Sequence, residues 1–259
     1  PIFKFTPLVP PKQTTDKLDV QRAPSRIRDT MRFLVILQQK YFQEMYQQLR
    51  KIGVRIPITG SVSNDVLPDL FSVASTCDFV AGNWYGEVER FDGRTPGVRY
   101  YSNKNPLRTD GLVGLAPFTA SLRWQKKPVV IREFATSPPN RWRGTTVPEM
   151  LAYASLQDYD AVLLFAYQTN RAPNGMEADA LNDYAFQSDP VVWGVHAMAG
   201  QAFLQRAIRP AKVSVTITLP DELLFSGLLH PGGLYQASWS HAVKSVFAPA
   251  LNMMNYLSP

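Results

Sequence analysis

The run Lys127, Pro128, Val129, Val130, Ile131, Arg132, Glu133 and Phe134 constrains this chain more than any other stretch. Proline opens a short β-branched segment, and polar residues enter only at its end. A continuous apolar run of this length suits a strand buried on both faces. Strands of that kind belong to parallel sheets, and in α/β folds the chemistry gathers at their C-terminal ends. Glu133 stands at that end. Two readings are open for it: a nucleophile or general base, and a strand-end carboxylate paired with a neighbouring Arg.

The surrounding sequence repeats the theme. Ile27, Met31, Leu34, Leu37, Tyr41, Met45, Leu49 and Ile52 follow one another in steps of three and four. That spacing predicts a helix with this face turned inward, stopped by Gly53. A short strand is predicted over 54–59, then a helix capped by Asn64 or Asp65 and reaching Thr76, then a strand over 78–85 ending in Asn83, Trp84, Tyr85 and Gly86. A short helix near 118–124 leads into the Glu133 strand. Thr146 and Glu149 read as a capping box, with Pro148 in the first turn of the helix that follows. The run 161–167 predicts a further buried strand, and Asp189-Pro190 starts a last helix through about Leu204. Helix and strand in alternation indicate a parallel sheet with crossover helices.

Three segments fall outside that alternation. Residues 1–25 are Pro-rich and aperiodic, and read as an N-terminal loop. A Gly-, Arg- and Asn-rich stretch from Gly86 to about Leu115 is too long for a simple connector and reads as a lid or binding loop. Beyond residue 209, Val213, Val215, Ile217 and Leu219 alternate with Ser214, Thr216 and Thr218. That period of two predicts a half-buried antiparallel strand. The α/β portion is therefore assigned to 26–209, and 210–259 to a β-rich C-terminal extension or the start of a second domain.

Composition excludes several classes. A hydrophobic fraction of 45% with 12% aromatic residues supports a packed core rather than disorder. A single cysteine, Cys77, excludes an internal disulfide framework and a multi-cysteine zinc site, and it reads as a packing residue. Three scattered histidines, with no phosphate loop and no nucleophile elbow, give no reason to expect a metal or an organic cofactor. The net charge is +6 and the pI near 9.4. Arg22, Arg26, Arg28, Arg32 and the Arg141-Trp142-Arg143 triplet are dispersed among acidic residues, so a solvated surface is expected and no nucleic-acid partner. No stretch approaches the roughly twenty apolar residues that cross a bilayer. The first residue is Pro1 and no signal peptide is visible, so a processed or truncated N-terminus is expected. The compartment stays open, with secretion or the periplasm favoured.

The aromatics suggest a ligand class. Trp84, Tyr85, Trp142 and Tyr167 fall near strand ends or in the loops after them. Flat rings offer apolar faces to a pyranose, and Asn83, Gln168 and Asn170 can bond its hydroxyls. The alternative is that Trp84 and Tyr167 fill the core. Arg132 alternates away from Glu133 along the strand, so it is expected to face the helical layer.

The Glu133 strand, the Pro139-Asn140-Arg141-Trp142-Arg143 loop and the run 152–167 resemble the last part of retaining glycoside hydrolases with a (β/α)8 TIM barrel. The likeness is to cellulase, mannanase-like and β-galactosidase-like members of that clan, and it covers about residues 26–205. It implies that 54–61, 78–85, 127–134 and 161–167 are the fifth to eighth barrel strands. It further implies that Glu133 is the nucleophile acting on a β-linked oligo- or polysaccharide, with Asn83, Trp84, Tyr85, Trp142, Tyr167 and Gln168 as sugar contacts. Two departures touch the substrate. Many members end the sixth strand in His-x-Tyr, where this chain has Asn83-Trp84-Tyr85, and the eighth often ends on Trp, where it has Tyr167 followed by Gln168. A third touches the mechanism. The clan's acid/base Glu follows an Asn at the end of the fourth strand, and this sequence contains no Asn-Glu dipeptide. The resemblance thus implies the second half of a barrel, completed by an upstream half or by a second chain. Glu87 and Glu89 are the local candidates for the missing carboxyl but read as solvated loop residues, while Glu44 and Glu149 fall on helices. The alternative is a non-catalytic barrel remnant that binds glycans or assembles with another chain.

Overall fold

A computed structural model describes residues 24–60, 67–86, 90–91, 99–100, 103, 105, 115–120, 122–167, 185–218, 220–225 and 253–258. Its helices are α1 (Pro24–Lys51), α2 (Leu67–Thr76), α3 (Leu115–Ala120), α4 (Arg143–Leu156), α5 (Pro190–Leu204) and α6 (Asp221–Leu224). Its strands are β1 (Val80–Tyr85), β2 (Arg90–Phe91), β3 (Arg99–Tyr100), β4 (Val129–Ala135), β5 (Ala161–Leu164), β6 (Val213–Thr218) and β7 (Met253–Ser258). The strands β1, β4 and β5 lie side by side in that order, all parallel. Each step between them crosses over through a helix, α3 then α4, as parallel pairing demands.

Helices cover one face of this sheet. Val80, Trp84, Val129, Ile131 and Phe134 pack there with Leu70, Met150 and Val192 in one apolar cluster. Each fully buried side chain of this size contributes about 2 kcal/mol relative to exposure. A smaller cluster of Phe42, Val73 and Cys77 joins α1 to α2, which fits the packing role expected of Cys77.

The inward face of α1 differs from the one its spacing predicts. Met31 of the predicted stripe packs on the core, but Leu37, Tyr41, Met45 and Ile52 are exposed, while Val35 and Phe42 are buried. The helix is apolar on two sides, and the steps of three and four trace the longer stripe. The stripe that packs inward mixes apolar residues with polar ones that bond across to the next elements. Gln38 donates to Asp69, the Tyr46 hydroxyl to Asp78 Oδ1 at 2.8 Å, and Arg50 Nη2 to Asp78 Oδ2 at 2.5 Å. The helix stops as predicted, with Gly53 in the left-handed region at φ 96°.

Residues 54–59 form no strand. Asp78 donates its backbone N–H to Ile58 O at 2.9 Å, and Thr59 Oγ1 donates to Phe79 O at 2.8 Å. The segment therefore lies along the foot of β1 without a ladder, since Pro57 brings no donor. The predicted capping box is also not formed. Helix α4 begins at Arg143, with Trp142 at its N-cap, so Thr146 is inside the helix and donates to Thr136 Oγ1 at 2.7 Å. The start of α5 is as predicted: the Asp189 carboxylate accepts from Val191 N at 2.9 Å and Val192 N at 3.3 Å.

In the C-terminal part β6 pairs with β7 in parallel, not antiparallel. An alternation of two reports which side chains share a face and is silent on strand direction. Leu224 and Phe225 are buried in the same cluster as the sheet. The predicted caps Asn64 and Asp65 lie outside the described residues, as does most of the long loop after Gly86, of which β2 and β3 form a short antiparallel ribbon. No helix among the described residues is long and apolar enough to cross a membrane.

Candidate active site

Glu133 lies near the C-terminal end of β4, the middle strand of the sheet. Up to Gly82 and Ile131 the strands β1 and β4 pair residue for residue; the next pair is Asn83 with Glu133. Arg132 is thus an extra residue with no partner in the register. On the other side, Val162 pairs with Ile131 and Leu164 with Phe134, so β4 carries one extra residue against β5 as well. This is a β-bulge, which re-aims the side chains around it.

The bulge explains the donors around the carboxylate. Asn83 Nδ2 donates to Glu133 Oε2 at 2.9 Å, and the Tyr85 hydroxyl donates to the same oxygen at 2.6 Å. Arg132 Nη2 donates to Oε1 at 2.7 Å. Arg132 does not face the helical layer as strict alternation predicts. The bulge breaks the alternation, and the guanidinium reaches the carboxylate of the next residue. Glu133 thus accepts three hydrogen bonds, two on Oε2 and one on Oε1. Its side chain keeps 22% of its surface open to solvent, enough for a ligand to approach.

The remaining residues divide by position. Tyr85 is half-buried and meets the Phe165 ring edge-on at 6.3 Å, which fixes the phenol beside Glu133. Trp84 is buried among the core residues at 5% exposure, so it has no ring face to give a sugar. It points to the helical side because its neighbours Asn83 and Tyr85 take the other face. Trp142 is half-buried at the α4 N-cap in the loop after β4, with the Arg141 guanidinium 5.0 Å above its ring. Tyr167 is exposed past the end of β5 and packs on Trp193 at 5.8 Å rather than in the core. Gln168, Asn170, Glu87 and Glu89 lie outside the described residues.

Residues in the next layer hold this end of the sheet together. Gly86 follows β1 where a Cβ would strike Thr136 Oγ1 and the Trp84 ring. Thr136 in turn accepts the Thr146 hydroxyl from α4. Buried Asn140 accepts the Trp142 N–H at 2.7 Å, shaping the loop that carries Trp142. Arg143 pairs with the fully buried Asp189, tying this loop to the start of α5.

The pairing of Glu133 with a neighbouring Arg, one of the two readings open from the sequence, is present, although alternation had turned Arg132 away from it; Phe165 as a partner of Tyr85 was missed. A bulge leaves no mark in composition. Phe165 sits in the strand run and reads as core.

The other described carboxylates of the sheet lie at its opposite end. Asp78 precedes β1 and is paired with Arg50, while Asp160 precedes β5 and accepts the Val129 N–H at 2.9 Å. Burial alone would raise the Asp78 carboxyl; the Ile58 N–H, the Tyr46 hydroxyl and the Arg50 charge outweigh it and hold the group below its ordinary value. No cluster of metal-ligating side chains occurs among the described residues. A cavity of about 450 Å³ lined by Ser25, Asp29, Thr30 and Phe33 includes none of the residues around Glu133. No protein-family model, no curated protein and no solved structure matches the chain.

Proposed function

We propose that this protein is a glycoside hydrolase of the (β/α)8 type, acting on a β-linked oligo- or polysaccharide by retaining double displacement with Glu133 as nucleophile. The observation that carries the reading is the convergence of Asn83, Tyr85 and Arg132 on a carboxylate at the C-terminal end of a central parallel strand. Fixed donors on one oxygen hold the other in a defined direction, which an attacking carboxylate needs. Glu133 would add to the anomeric carbon as the glycosidic oxygen leaves with a proton from a second carboxyl. Water would then cleave the glycosyl ester with that second group as base. Tyr85 and Asn83 would hold Glu133 throughout, and Trp142, Tyr167 and Gln168 are the proposed sugar contacts. No cofactor enters this scheme.

The proton donor must sit about 5–5.5 Å from Glu133 in a retaining enzyme. We assign it to a segment that completes the barrel, an N-terminal half or a second chain. Exposed apolar residues on two flanks support such docking. Phe33, Ile36, Tyr41 and Ile52 line the outer side of α1, and Leu163, Met198 and Leu204 belong to β5 and α5. An open parallel edge and bare helix faces are what a neighbouring βα unit would cover.

The test is covalent trapping. A substrate with a good leaving group and a slowed second step should add its glycosyl mass to the peptide carrying Glu133, and Glu133→Gln should lose turnover. Label on another residue, or full activity in Glu133→Gln, would sink the proposal. A second reading is a non-catalytic glycan-binding module, favoured by the position of Asp78 and Asp160 at the far end of the sheet. It predicts glycan binding that survives in the whole gene product without any turnover.

A further inference from the structure

The bulge puts a guanidinium on the nucleophile's own oxygen, and this bears on the kind of sugar the site takes. The inference rests on the reading of Glu133 as nucleophile. Oε2 already accepts two neutral donors, from Asn83 and Tyr85, while Oε1 accepts one, from Arg132. Oε1 is therefore the oxygen with room to attack, and a cation occupies its approach. The Arg132 side chain is 47% exposed, and one of its five N–H groups serves Glu133. A sugar that reaches Oε1 displaces the guanidinium, which then needs another acceptor. A neutral glycan offers only hydroxyls. An anionic group beside the scissile bond offers two oxygens that match the planar fork.

We propose that Arg132 is a specificity residue that selects an anionic glycan, one bearing a carboxylate or a sulfate next to the bond at Glu133. The wider charge agrees. The chain carries a net +6. Arg141, exposed over Trp142 in the loop after β4, adds a second guanidinium at the same end of the sheet. Two guanidiniums at that end attract a polyanion.

The experiment is a calorimetric titration of the protein made from its whole gene, with three β-linked probes: an oligoglucuronide, a sulfated neutral oligosaccharide and the unmodified neutral oligosaccharide. At low salt the anionic probes should bind roughly tenfold to a hundredfold more tightly than the neutral one, the range of a charge-assisted hydrogen bond. Arg132→Met should erase that preference while unfolding at the wild-type temperature, and Arg132→Lys should keep part of it. A preference for the uronide alone points to planar bidentate pairing, and equal preference for the sulfate to charge; both support the proposal. Equal affinity for all three probes, or a preference intact in Arg132→Met, overturns it and leaves Glu133 as nucleophile. Tyr85→Phe and Glu133→Gln separate the two failures, because binding unchanged in both removes the site itself.

Discussion

Tyr85 and Glu133 are joined across two parallel strands by a hydrogen bond of 2.6 Å from phenol to carboxylate. Phe165, just past β5, holds the phenol edge-on. Under the glycosidase reading, Tyr85→Phe should lower kcat/KM by about tenfold to a hundredfold, the range of one hydrogen bond to a charged group. The loss should fall mainly on kcat, because the donor aligns the attacking group and not the substrate. Thermal unfolding should move little. A rise in KM alone would show that Tyr85 serves the sugar instead.

Glu149 predicts a pH dependence of stability. Burial pushes its carboxyl up to about 7 from an ordinary 4.5. Between those values the folded protein holds a proton that the unfolded chain has released. Stability therefore falls as pH rises through that window, by up to about 3 kcal/mol, and is unchanged by this group above it. Glu149→Gln mimics the protonated form. Urea unfolding from pH 5 to 8 should show the variant gaining on the wild type as pH rises; a constant difference would refute the assignment.

Two glycines predict opposite signs. A Cβ on Gly86 would strike Thr136 Oγ1 and lie 2.7 Å from the Trp84 ring, so Gly86→Ala should cost about 1–3 kcal/mol. Gly200 lies inside α5 with no atom within 4 Å of an added Cβ. Gly200→Ala should therefore stabilise by about 0.5–1 kcal/mol, through helix propensity. Denaturant midpoints of the two variants check both directions.

Asp189 combines two tasks in a fully buried position: it pairs with Arg143 and caps α5. Asp189→Ala should cost about 3–5 kcal/mol, since it strands a largely buried guanidinium as well as two N–H groups. Asp189→Asn keeps an acceptor for the cap and should cost less. If the two substitutions cost the same, the ion pair contributes nothing beyond the cap.

The parallel pairing of β1, β4 and β5 was legible because each strand is a short apolar run between helical periods. So was the Asp189 cap, whose side chain acts on N–H groups two and three residues on. What depended on distant context was not legible. The stripe of α1 that packs inward is chosen by Asp69 and Asp78, which lie far along the chain. The capping box at Thr146 was outweighed by a buried bond to Thr136. That Glu133, Asn83 and Tyr85 share one end of the sheet was legible from strand-end position, whereas Trp84 went to the core. An Arg partner for Glu133 was one of the two open readings, but Arg132 was not recognised as that partner, because alternation holds only while the ladder is unbroken.

The bulge in β4 also divides the sheet into two phases. Below it, Val80, Ala81 and Gly82 are in step with Val129, Val130 and Ile131; above it, Asn83, Trp84 and Tyr85 are in step with Glu133, Phe134 and Ala135. A change that shifts the lower phase can be absorbed at Arg132 before it reaches the carboxylate. The lower sheet is free to vary in its packing, and the upper three pairs keep their alignment as a unit.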